Sequence, residues 1–140
     1  MAGINDLNGT FGVAETFNED AQARDMEIAE LERLGDTLCM SLLNQDFSDI
    51  AQNIAYALQA ERPLAVAIKE DFECARTESG GNLELANYSV VIKKFQAGTP
   101  GFIHLIECRF TFPNTPKEIL VEIIENEAGC YLEQISSVPR

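Results

Sequence analysis

The chain has no tryptophan and a single histidine, His104, among its 140 residues. It is also poor in bases: 10 Lys and Arg stand against 23 Asp and Glu, a net charge of −13. That deficit argues against direct binding to nucleic acid or to an anionic membrane, because such surfaces need Lys and Arg to displace counterions. The lone imidazole removes most acid–base and metal-site constellations. No run approaches the ~20 apolar residues that a membrane span needs. The opening MAGINDLNGTFGVAETFNED has neither the basic nor the apolar region of a secretory signal.

The four cysteines, Cys39, Cys74, Cys108 and Cys130, are scattered with no CxxC. They read as reduced thiols of a cytoplasmic protein, not as a disulfide framework or a zinc site. Calcium-loop, phosphate-loop and nucleophile-elbow motifs are all missing. GTPG at 98–101 joins two expected strands with no helix after it, so it is a turn. No catalytic residue, cofactor or metal is assigned.

What is present is acidity, unevenly spread. Residues 1–63 hold 12 acids and 3 bases, net −9, whereas residues 64–140 hold 11 acids and 7 bases, net −4. Residues 1–19, rich in Gly, Asn, Asp and Thr, read as a flexible or docking tail before a single domain over 20–140. From Asp20 to Gln45, Ile28, Leu31, Leu38 and Leu42 recur at heptad spacing with Gly35 on the seam. This stripe either packs on its own domain or meets a second helix, with Gly35 admitting close approach. Glycine costs about 1 kcal/mol in a helix interior, so a break at Gly35 with Asp36 capping a second segment is expected.

Ser48 caps a helix over 49–61 that Pro63 ends. Three strands follow, over 64–76, 82–95 and 102–112, joined by Gly-containing turns as an antiparallel meander. TPKE at 115–118 reads as a capped helix start, with Gly129 as the helix stop. The β-branched run ILVEII also permits a strand there, hairpinned through ENEAG. A last strand covers 130–137. The fold class is therefore α+β: N-terminal helices, a three-stranded antiparallel meander, a helix and a last strand, with the helices on one sheet face. The inner α-β-β-β-α order matches double-stranded-RNA-binding domains, but TPKEILVE lacks the basic helix start those domains need.

His104 shares its strand face with Ile106 and Phe110, which reads as a satisfied core or cross-strand residue. Cys108 lies four residues along, roughly 13 Å at ~3.3 Å per residue, too far for a nucleophile pair. Glu70, Asp71 and Glu73 cluster, and Glu107 lies within a strand, yet no spacing selects a catalytic carboxylate pair. Lys93, Lys94 and Arg109 are the notable basic spot, read as sheet-face charge or a small anion site.

The expected function is that of a non-enzymatic acidic protein-binding factor: an adaptor, small chaperone or inhibitor. Its acidic helices would steer a basic partner. Glu27, Ile28, Glu30, Leu31, Gly35, Leu38 and Leu42 would make the contact, and a homodimer could use the same stripe. In size, acidity and α/β make-up the chain resembles specialised secretion chaperones and small phage-encoded inhibitors, a resemblance that covers no motif. One alternative is a nucleic-acid mimic using Asp20, Asp25, Glu27, Glu30, Glu32 and Asp36, although at ~100° per residue these spread around the helix. Another is a small-molecule-binding or catalytic domain with a pocket at Tyr88, His104 or Tyr131.

Overall fold

The computed structural model describes residues 12–96 and 100–140, with side chains from Glu27 onward. Residues 1–11 of the tail expected over 1–19, and part of the 98–101 turn, lie outside these residues. Three helices precede and pack against a five-stranded mixed sheet, an α+β arrangement. The chain divides into two units, 1–31 and 32–140. In the first, the backbone is helical from Gly12 onward. The second holds the sheet.

Helix α1 runs unbroken from Gly12 to Leu43, so the expected start at residue 20 and the break at Gly35 are both corrected. The physical reason lies at Gly35: a Cβ there would stand 2.6 Å from Val90 Cγ1 and 3.3 Å from Ile106 Cγ2. The loss of helix propensity is offset by backbone-to-sheet contact that any larger residue would prevent. Helix α2 is short, Phe47–Asn53. Its cap is Asp46, whose carboxylate accepts the Asp49 N–H at 3.3 Å. The helix expected to reach residue 61 stops where Ile54 turns extended into β1, Ala55–Tyr56.

Helix α3, Leu64–Ser79, overturns the strand expected over 64–76. Leu64, Val66, Ile68, Phe72 and Cys74 do share parity. The buried set is instead Ala67, Ile68, Phe72, Ala75 and Ser79, at helical spacing. Pro63 sits at the N-cap, and Gly80 closes the helix at φ 74°, with its N–H on the Arg76 and Thr77 carbonyls. These are the punctuation marks of a helix.

Strands β2 (Asn87–Lys94), β3 (Phe102–Thr111), β4 (Lys117–Asn126) and β5 (Gly129–Pro139) form an antiparallel meander, with β1 parallel to β5 on the far edge. Strand β4 replaces the helix expected from Thr115. The Thr115 hydroxyl does not cap a helix; it donates to the Ser79 carbonyl at 2.5 Å and accepts the Lys117 N–H at 3.3 Å. The Asn126 side chain holds the β4–β5 turn by accepting the Ala128 and Gly129 amides. This is the hairpin through ENEAG that the β-branched run allowed.

The core lies between helices and sheet. Phe72 of α3 meets Phe110 of β3 edge-on at 5.6 Å, and Phe47 of α2 lies 6.3 Å from Phe72. Ile106, Cys108, Ile119, Val121, Ile123 and Leu132 are fully buried there. Among the described residues, no helix is long and apolar enough to cross a membrane.

Candidate partner-binding surface

Strand alternation sorts the sheet into two faces. On β3, His104, Ile106, Cys108 and Phe110, and Phe112 just past its end, are buried toward the helices. Ile103, Leu105, Glu107, Arg109 and Thr111 point the other way. The register carries this division across the meander: Val91 lies opposite Glu107, and Glu107 opposite Glu122; Arg109 lies opposite Leu120, and Leu105 opposite Ile124. The contacts of α1, α2 and α3 described above all fall on the first face. Within residues 32–140 the second face carries none of these contacts.

That second face mixes apolar and charged side chains. Val91 is 43% exposed, whereas Glu107 and Glu118 are buried among their neighbours. A buried carboxylate needs partners, and these have them. Lys93 Nζ lies 3.0 Å from Glu107, and Arg109 reaches Glu107 at 3.6 Å and Glu118 at 3.2 Å. Two cations thus serve two carboxylates. Glu122 is a third, and it makes no ion pair among the described residues. Burial, then the negative charges of Glu107 and Glu133, push its carboxyl above the ordinary range, against weaker opposition from Arg109 and Lys93. The β4–β5 register slips by one residue between Glu122 and Ile123, and Glu133 is the extra residue at that irregularity.

The residues expected to bind a partner are placed differently. Glu27 and Glu30 are exposed and Ile28 is half-buried. Leu31, Leu38 and Leu42 are buried, and Gly35 lies against the side chains of Val90 and Ile106. Gly35 therefore brings α1 onto its own sheet. The exposed apolar seam expected for partner binding is corrected: Leu38 and Leu42 are spent in the core of their own chain. Of the acidic set, Glu32 and Asp36 are exposed as well.

Other expected chemistry resolves into structural contacts. His104 Nδ1 lies 2.7 Å from Glu125 Oε1, a cross-strand pair. Asp71 accepts from Tyr56 at 2.5 Å and from both terminal nitrogens of Arg62, at 2.9 and 3.2 Å. Arg62 also holds Glu70 and the carbonyls of Leu58 and Gln59, so its five donors tie the 57–63 loop to α3. Burial opposes the charge on Asp71, but the hydrogen bonds from Arg62 and Tyr56 prevail and hold its carboxyl below the usual range.

Lys93 and Arg109 face away from the helices while Lys94 faces toward them, so the expected basic spot is split across the sheet. Tyr88 lines a recess of about 440 Å³ with Glu32, Asp36, Ser89 and Val90. His104 and Tyr131 take no part in it. Sequence reasoning missed Glu118 and Glu122 as sheet residues by preferring a helix from Thr115. The available signal was the alternation of Ile119, Val121 and Ile123 with them. Comparisons with models of protein families, with curated proteins and with solved structures find no match to this chain.

Proposed function

We propose that this chain is a non-catalytic, cytoplasmic protein-binding factor, an adaptor, small chaperone or inhibitor, which meets a basic partner through this second face of its sheet. One observation carries the reading: among the described residues, Glu122 is a carboxylate without an ion-pair partner on a partly apolar face whose cations Lys93 and Arg109 are already engaged. A partner's Lys or Arg placed there would relieve the repulsion from Glu107 and Glu133. Leu105 and Leu120 near it, and Val91 beyond Glu107, would supply apolar contact that salt does not screen. The net charge of −13 favours fast encounter with a basic surface.

The test is capture from lysate by the immobilised full chain at about 0.1 M and 0.5 M salt, where exposed charges are screened beyond ~8 Å or less. The expected result is a basic protein retained at both salts by the wild type and lost with Glu122→Lys and with Leu105→Asp. A basic nucleic-acid enzyme that is lost at high salt and needs Glu27, Glu30, Glu32 and Asp36 instead would overturn this surface in favour of nucleic-acid mimicry. Retention by both sheet variants would sink the surface as well.

A further inference from the structure

We infer that β2 is a self-complementary edge through which two copies of this chain join their sheets. The inference does not rest on the proposed partner, although the two surfaces share Val91. Strand β2 is the last in the order β1-β5-β4-β3-β2 and pairs only with β3. The Phe95 N–H donates to the Ile103 carbonyl at 3.1 Å, and in this register Phe95 lies opposite Ile103. Because antiparallel pairs alternate, the odd residues Ser89, Val91 and Lys93 turn their amides and carbonyls toward β3. The even residues Tyr88, Val90, Ile92 and Lys94 turn theirs outward. Among the described residues no backbone group pairs with them. Eight residues of open edge is long for a feature that proteins usually shorten or cover.

An edge of this kind accepts any strand; the side chains select a second copy. A two-fold axis perpendicular to the sheet at Val91 pairs residues of equal parity, so each face continues into the same face of the other copy. Tyr88 then lies opposite the second copy's Lys94, Val90 opposite its Ile92, Ser89 opposite its Lys93, and Val91 meets itself. All four outward residues find hydrogen-bonding partners, no lysine faces a lysine, and the exposed Val91 is covered. Shifting the axis to Val90 leaves Lys94 outside the ladder.

Charge decides for this register. On the helix side, the recess beside Tyr88 is walled by the exposed carboxylates Glu32 and Asp36. Neither has an ion-pair partner among the described residues. Lys94 points to that same side. Placing each copy's Lys94 opposite the other's Tyr88 brings its ammonium to the mouth of this recess. Two cation-to-carboxylate contacts thus form per dimer, at a place where the isolated chain holds only negative charge.

The experiment is sedimentation velocity and light scattering on the full chain from low micromolar to several hundred micromolar. The wild type is expected to reach twice the chain mass. Lys94→Glu places a third carboxylate at each recess, where a cation belongs, and should weaken association at least about tenfold, while circular dichroism stays native. Adding Asp36→Lys to Lys94→Glu should restore the dimer. Ile92→Pro removes an outward N–H without touching the β3 ladder and should also give a monomer. If that variant fails to fold, the charge pair decides. A wild type that stays monomeric throughout, or a dimer that Lys94→Glu leaves intact, overturns the inference.

Discussion

The Cα of Gly35 lies so close over Val90 that a Cβ built on it would stand 2.6 Å from the valine Cγ1. Valine is stiff at χ1 and has no free end to swing aside. Gly35→Ala should therefore destabilise the protein by about 1 to 2 kcal/mol, because overpacking of up to ~3 kcal/mol outweighs a helix-propensity gain of about 1 kcal/mol. Val90→Ala should recover part of that loss in the double variant. Urea unfolding of all four members of the cycle measures it, and additive losses would show that the two residues do not meet.

Phe72 links α3 to the sheet through Phe110 and to α2 through Phe47. It is 1% exposed. Phe72→Ala should cost about 3 to 5 kcal/mol, a combined loss of transfer energy and a cavity. A loss under about 1 kcal/mol by the same denaturation measurement would place Phe72 outside the core.

Two carboxylates pull the pH dependence of stability in opposite directions. The Asp71 carboxyl is held low in the folded chain. Its stabilisation is present above the unfolded value of ~3.9 and lost as pH falls through the lower folded value. Glu122 is held high. Its penalty is present at neutral pH and is relieved as pH falls through the folded value toward the unfolded ~4.3. Glu122→Gln should stabilise the free protein at pH 7 by about 0.2 to 0.5 kcal/mol, a small effect because solvent still screens this half-buried group in part. It should also flatten the rise in stability on mild acidification, while Asp71→Asn should flatten the fall in strong acid. Urea midpoints across the pH range test both slopes.

Thiol labelling should resolve three classes. Cys74 is exposed and Cys130 half-buried, while Cys39 and Cys108 are buried. The hydrogen bond from Cys108, reinforced by burial, pushes the Cys39 thiol far up. Burial and Glu125 raise Cys130. An aromatic disulfide reagent should modify Cys74 first, Cys130 slowly, and Cys39 and Cys108 only on unfolding, since the thiolate is the reacting species. Equal rates for all four in the native protein would contradict the packing.

Periodicity and turn signals along the chain determined the α+β class, and composition determined the acidity and the lack of the residues most active sites use. Local signals placed β2, β3 and the final strand, because their alternation is strong and their turns carry glycine. They also placed His104 as a cross-strand residue. The same alternation misled at 64–76, where Leu64, Val66 and Ile68 fit a strand as well as they fit a helix. Pro63 and Gly80, sixteen residues of helix apart, carried the better information.

Tertiary structure decided the rest. Lys117–Asn126 is a strand because β3 and β5 satisfy its backbone on both sides, which outweighs a capped helix start worth about 1 kcal/mol. The leucine stripe of α1 could face a partner or its own sheet with the same sequence pattern. Only the fit of Gly35 over Val90 and Ile106 fixes the choice. The sheet face with Glu122 depends on a register between strands distant in the chain, which periodicity within any one strand does not specify.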